Sequence, residues 1–222
     1  MITLYENISM RNSKITIRLT NELIKCGFVC DEFWVKYPDI NMSNLDESIL
    51  NIPLLANIAP VIWALGLEVN VPVMDKTFLE SLKRLKPIYK SMYPKMLWNG
   101  ELIPKKVINN SSAINSQNFG ENSGILFSGG LDSVSSTMDY IGIKPILISI
   151  RGSDISLTDD LGWSLVVKQT KEFSERYGLT CNFIESNFYE FLNQEALSDL
   201  DNSISNWWGG VQHGLGFAGL VA

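Results

Sequence analysis

Metal-ligating and redox residues are scarce in this chain of 222 residues: it has one histidine and three cysteines, Cys26, Cys30 and Cys181, with no Cys-x-x-Cys pair. A structural zinc site takes four Cys or His ligands, so none is expected here. The odd, unpaired cysteine count predicts a reducing, cytoplasmic setting. So does the start Met1-Ile2-Thr3-Leu4-Tyr5-Glu6, which lacks the basic opening and apolar run of a signal peptide. Positive charge is also in deficit, with 18 Lys and Arg against 24 Asp and Glu and a net charge of −6. A general nucleic-acid or anionic-membrane binder needs clustered Lys and Arg, so no general nucleic-acid binding and no membrane partner are expected. A local basic site around phosphates stays open. Long apolar runs are missing too. The nearest candidate, Ile49 to Leu67, is interrupted by Asn51, Pro53, Asn57 and Pro60 and followed by Glu68, whereas a membrane span needs about 20 mostly apolar residues. It predicts a buried helix pair, or a helix broken at Pro60.

What remains is an ordinary globular composition, 45% hydrophobic and 19% charged. The length suits one medium domain, or a small domain joined to a larger one. The clearest seam is Asn109 to Ser123, an Asn- and Ser-rich, nearly uncharged stretch too poor in apolar residues to build a core. It reads as a linker or loop between residues 1–108 and 124–222.

The first part mixes short β-like runs with helices and predicts a smaller α+β N-terminal domain. Lys14–Leu19 alternates polar and apolar residues, as a half-buried strand does, and Phe33–Tyr37 is aromatic and β-branched. Phe78, Leu82, Leu85, Ile88 and Met92 recur at helical spacing behind Asp75, a suitable N-cap. No residue set here resembles a reaction centre, so a structural or substrate-gating role is expected. The second part alternates apolar runs with helices: Gly124–Phe127, then Pro145–Ile150, then Thr180–Glu185. A helix from Asp160 to Tyr177 carries Trp163, Val166, Val167, Thr170, Phe173 and Tyr177 on one side, with Gly178 as its C-terminal stop. This rhythm predicts an α/β fold, a Rossmann-like parallel sheet covered by helices on both faces.

Chemistry concentrates at the bend after the first of these runs. Gly124–Phe127 leads straight into Ser128-Gly129-Gly130-Leu131-Asp132-Ser133, and Leu131, Val134, Met138 and Ile141 then recur at helical spacing. Gly129 and Gly130 let the backbone turn sharply and bring its N–H groups close to an anion. The helix start adds unpaired N–H groups and partial positive charge, and Ser128 and Ser133 add hydroxyl donors. An aspartate in a phosphate cradle repels its ligand unless a cation intervenes, so Asp132 is expected to hold Mg²⁺. The Lys and spacing of a Walker loop are absent.

The pattern SGGxDS behind an apolar strand resembles the PP-loop ATP pyrophosphatases, a superfamily of HUP-type α/β folds. Five specified positions match by chance on the order of once in a few thousand chains of this size. The resemblance covers residues 124–222. It implies ATP and Mg²⁺, and cleavage of ATP between its α and β phosphates as a substrate, expected to be a carboxylate, is adenylated and pyrophosphate leaves. On it, Ser128, Asp132 and Ser133 carry the catalysis. Nucleotide contacts are implied for Phe127, Ser128, Gly129, Gly130, Leu131, Asp132 and Ser133. Ser149 and Arg151, at the tip of the second strand, stand where relatives hold adenine and ribose. The short loop with an added N-terminal part looks closest to the 7-cyano-7-deazaguanine synthases of queuosine biosynthesis, although the cysteine cluster of those enzymes is missing. The alternatives are an amidotransferase synthetase module of the asparagine or NAD synthetase type, possible only with a protein partner that supplies ammonia, and a non-catalytic nucleotide-binding module. A PP-loop domain normally continues with more strands, so the resemblance implies further chain beyond Ala222.

Two further segments are candidates. Arg151 either meets a phosphate or substrate carboxylate or pairs within its loop with Asp154, which could itself take metal or a sugar hydroxyl; Asp159 and Asp160 read as helix-start acids. Trp207 to Gly219 holds five glycines, among them Gly214. That many would weaken an exposed helix by about 1 kcal/mol each relative to Ala, so the segment either packs tightly or approaches nucleotide. His213 contacts phosphate, moves a proton, or is a packed histidine. Trp207 and Trp208 read as core or interface residues.

Overall fold

The computed structural model describes residues 2–42, 44–110 and 123–221. The chain opens with β1 (Ile2–Thr3), β2 (Tyr5–Arg11) and β3 (Lys14–Leu19). β2 and β3 form a hairpin through Asn12 and Ser13, both at positive φ (51° and 58°), which a two-residue turn requires to match the strand twist. Then follow α1 (Asn21–Ile24), β4 (Glu32–Lys36), α2 (Glu47–Leu50), α3 (Ile52–Leu65), β5 (Glu68–Val71), β6 (Met74–Asp75), α4 (Lys76–Met92), β7 (Glu101–Pro104) and β8 (Val107–Ile108). Beyond the seam come β9 (Gly124–Leu126), α5 (Leu131–Asp139), β10 (Ile146–Arg151), α6 (Asp160–Tyr177), β11 (Cys181–Ser186), α7 (Gln194–Ser198), a π-helical turn Trp208–Gln212 and α8 (His213–Leu220).

The fold is mixed α/β. One sheet has six strands in the order β2-β3-β4-β11-β10-β9. β9, β10 and β11 are parallel and β2, β3 and β4 antiparallel, and β4 meets β11 antiparallel at Lys36↔Glu185. That junction is fastened by side chains: Ser186 Oγ donates to the Trp34 carbonyl at 2.6 Å, and Asn187 donates to the Glu32 carbonyl and accepts from Trp34 N–H, both at 2.8 Å. A second, parallel sheet has the order β1-β5-β7. The seam at 109–123 therefore divides the chain's composition while sheet and core take residues from both sides of it. Ile17, Phe33, Leu55 and Ile58 pack in one cluster with Ile184, Phe188, Phe191 and Trp207. Most of the expected linker, residues 111–122, lies outside the described residues.

The apolar run near Ile49 forms the helix pair α2 and α3, and Pro60 does not break α3, which continues to Leu65. Every residue from Ile52 to Trp63 is buried, as an all-round apolar helix demands. Pro53 sits in the first turn, where its missing N–H costs nothing. Helices do not cover the two faces of the parallel strands equally. α6 packs on the face of Leu147, Ser149 and Phe183, with Trp163 edge-on to Phe183 at 5.8 Å and Thr170 beside Ser149. The opposite face is buried at Ile184 but thins toward the sheet edge, where Leu126 is 44% exposed.

Candidate functional site

The SGGLDS bend hangs from the end of β9. Phe127 N–H donates to the Ile148 carbonyl at 2.8 Å, continuing the strand register, and its ring packs on Phe173 with centroids 4.9 Å apart. Gly129 then takes φ 77°, a conformation L side chains rarely adopt, and a Cβ there would meet nothing within 4 Å. This glycine answers to backbone shape, because no neighbour crowds it. Gly130 N–H donates to Ser128 Oγ at 3.3 Å, and Ser133 Oγ donates to the Gly130 carbonyl at 3.0 Å. α5 starts without a side-chain cap, so its first amides have no partner inside the helix. Ser128 through Asp132 are all exposed. The helical spacing of Leu131, Val134 and Met138 is present, yet Leu131 is 85% exposed, so the apolar stripe of α5 is not a core face.

Beside the bend lies a cavity of about 460 Å³. Leu126, Ile148, Ile150 and Val166 supply apolar wall; Phe127, Ser128, Ser149 and His213 also line it. Such a volume falls within the range of small-molecule sites. Ser153 and Asp154 from the loop after β10, and Phe217 from α8, complete much of the rest. The structure thus gathers the Ser128 bend, the β10 tip and His213 around one space. Gly214 is exposed and is not among the lining residues. Sequence reasoning missed Val166 and Phe217 as wall residues; both sit on helices whose apolar positions read as packing.

Two of the proposed contacts, Ser149 and Arg151, are already engaged. Ser149 Oγ donates to the Phe127 carbonyl at 2.7 Å and lies 3.2 Å from Thr170 Oγ1, tying β9 and α6 to β10. Arg151, expected to meet a ligand or pair with Asp154, does not pair with Asp154 but with Asp160. Its guanidinium is buried, donating to the Leu157 carbonyl (2.7 Å) and Asp160 (2.6 Å), with Glu185 at 3.5 Å, and Nε donates to the Ser156 carbonyl. It clasps the loop that carries Ser153 and Asp154 to the cavity. Gly152 in the same loop takes φ 119°, and a Cβ there would also strike the Ser186 carbonyl oxygen. Asp159 caps α6 through Gly162 N–H at 2.8 Å, the helix-start role expected of it.

His213 is exposed and stands edge-on to Trp208 and Phe217, with centroids 5.0 and 4.9 Å away. The π-helical turn just before it is anchored by buried Gln212, which donates to Asn57 Oδ1 and the Phe188 carbonyl, both at 2.8 Å. Such turns re-aim the residues that follow them. Two glycines of α8 answer to packing: a Cβ on Gly219 would strike Ala56 Cβ, and one on Gly216 would meet Asn57 at 2.8 Å. Trp207 is fully buried in the core.

Asp132 is exposed and has no ion pair or side-chain hydrogen bond among the described residues. No group of three or more His, Cys, Asp or Glu that could hold a metal occurs among them. Among the described residues, no helix is long and apolar enough to cross a membrane. Compared with known proteins, the chain finds no significant match to a family model, a curated protein or a solved structure.

Proposed function

We propose that the chain is an adenylate-forming, ATP-dependent ligase of the PP-loop type with a HUP-like parallel sheet, acting on a carboxylate substrate. One observation carries this reading: Ser128–Ser133 bends from the C-terminal end of a parallel strand into an uncapped helix, on the wall of a nucleotide-sized cavity. Open α/β sheets bind ligands at this edge, and free helix-start amides favour phosphate.

The residues present fit the groups this chemistry needs. The amides of Gly129 to Ser133 and the hydroxyls of Ser128 and Ser133 hold the pyrophosphate end of ATP. The apolar wall of Leu126, Ile148 and Ile150 receives the base. Asp132 would hold Mg²⁺, which supplies neutralisation of phosphate charge when bound. A carboxylate oxygen of the substrate forms a bond to the α-phosphorus as the bond to the bridging β-phosphate oxygen breaks, and pyrophosphate carries away that electron pair. The protein's part is to hold nucleophile and leaving group in line and to stabilise charge as it develops. His213, on the cavity wall, can donate to phosphate or move a proton. A kinship with the 7-cyano-7-deazaguanine synthases rests on the loop alone.

A second reading, nucleotide binding without turnover, is favoured by one observation: among the described residues no Lys or Arg lines the cavity, and Arg151 is committed to its loop. Release of AMP and pyrophosphate from ATP and Mg²⁺, scanned over a panel of carboxylic acids, separates the two. Acid-dependent pyrophosphate release supports the ligase. ATP binding by calorimetry with no release under any acid supports the second reading, and no binding at all removes both.

A further inference from the structure

The face of the large sheet that carries Ser149 and Phe183 runs on beyond α6 over β4, β3 and β2, where it bears a row of charge that the nucleotide reading leaves unexplained. Strand register sets Arg11 opposite Lys14, Lys14 opposite Lys36, Lys36 opposite Glu185 and Glu185 opposite Arg151. Directly paired residues share a face, and like charges so placed destabilise a sheet. Two successive like-charge pairs, Arg11–Lys14 and Lys14–Lys36, therefore stand in one line about 10 Å long, two strand spacings of roughly 4.8 Å. Glu185 offsets Lys36 through a 3.1 Å ion pair, and Lys14 lies over the Trp34 ring at 4.2 Å. Arg11 has no ion pair among the described residues.

Arg11, Lys14 and Lys36 of this row line a groove of about 660 Å³, together with Ser9, Asn12 and Thr16. Glu32, the one acid on the groove wall, stands opposite Arg18 in the register. Met10 is the groove's apolar lining residue. Protein docking sites centre on buried apolar anchors, and this groove has hydroxyls, amides and cations instead. Those groups bind a phosphate backbone, and Trp34, opposite Thr16 on the same face, would offer its ring for base stacking once Lys14 leaves it for a phosphate. We infer that the face of β2, β3 and β4 is a docking track for single-stranded RNA, bound through its phosphates by Arg11, Lys14 and Lys36. The acidic net charge does not oppose this, because charges beyond about a Debye length are screened at physiological salt. The row ends at Glu185 and Arg151, and the loop after Arg151 lines the candidate nucleotide cavity.

The test is fluorescence anisotropy of the whole chain with a labelled single-stranded RNA of about 10 nucleotides. Binding should weaken with salt with a log–log slope near −2, as roughly three phosphate contacts on a single strand require. Arg11→Glu with Lys14→Glu should weaken binding at least about tenfold and flatten the slope, while Lys83→Glu with Arg84→Glu on α4 should change neither. Should the paired groove variant unfold, Arg11→Gln alone, at the exposed hairpin end, should still weaken binding and flatten the slope. The inference is overturned if RNA does not bind, if the groove variants bind as the parent does, or if polyglutamate displaces RNA as well as unlabelled RNA does. Loss of ATP binding in an Asp132 variant that still binds RNA would separate this face from the proposed nucleotide site.

Discussion

Glycine plays opposite parts in α8 and in the bend after β9. In α8, Gly216 and Gly219 are small because α3 lies against them, and a Cβ would strike Asn57 or Ala56. In the bend, a Cβ on Gly129 would meet nothing within 4 Å, and the glycine is needed for its φ of 77°. The first glycines serve the core; the second serves the shape of an exposed turn. A region where a Cβ on Gly129 would meet no neighbour, where Asp132 has no ion pair or side-chain hydrogen bond among the described residues and where Leu131 faces outward is poorly explained by stability. That contrast singles out Ser128–Ser133 as the place where a ligand is missing from the account.

The contrast can be broken from either side. The largest effect is expected in the packed region: Ile58→Ala, at a fully buried position of α3, should cost about 2–5 kcal/mol in denaturant unfolding, with ATP affinity of the remaining folded protein unchanged. Asp132→Asn should do the reverse, lowering pyrophosphate release by about 10² or more with the melting midpoint held, since Asp132 is exposed. A normal rate in that variant would return the bend to a structural turn. Gly219→Ala should destabilise by about 1–3 kcal/mol through overpacking against Ala56.

Smaller effects sharpen the same line. Tyr89 ties α4 to the π-helical turn by donating to the Val211 carbonyl at 2.9 Å, and Tyr89→Phe should cost about 0.5–1.5 kcal/mol. Burial, with Tyr93 adding to it, raises the Tyr89 phenol from its ordinary 10 to about 12. An acid raised in the folded state favours folding only while it is deprotonated less readily than in the unfolded chain. Its stability is therefore intact below pH 10 and lost as pH rises toward about 12, and Tyr89→Phe should flatten the alkaline unfolding curve in that window. The smallest change is expected at Gly214, which shares α8 with Gly219 yet has nothing within 4 Å of a Cβ. Gly214→Ala should raise stability by about 0.5–1 kcal/mol; a loss of ATP affinity alongside would bring Gly214 into the site.

Much of the local structure could be read in advance. Asp75 caps α4 by accepting from Phe78 N–H at 2.8 Å, α6 spans Asp160–Tyr177 and ends at Gly178 with φ 63°, and β3 spans Lys14–Leu19. Each rests on a signal confined to a few neighbouring residues. The short strands β1, β5, β6, β7 and β8 escaped notice because runs of two to four residues carry no measurable period. Arg151 escaped for another reason. Its loop position is visible in the sequence, but whether a guanidinium faces a ligand or turns back on Ser156, Leu157 and Asp160 depends on how the following loop folds over it.

By itself the sequence determined the strand-to-helix bend at Ser128–Ser133, the long helices and the strand alternation, because caps, glycine conformations and hydrophobic periods act over a single turn or a few residues. Only the tertiary structure decided that β4 joins β11 and makes one sheet across the seam, that Pro60 stays inside α3, and that Arg11, Lys14 and Lys36 fall into one row. Those outcomes depend on register and packing between segments far apart in the chain, where the energy of each pairing comes from partners that no local pattern names.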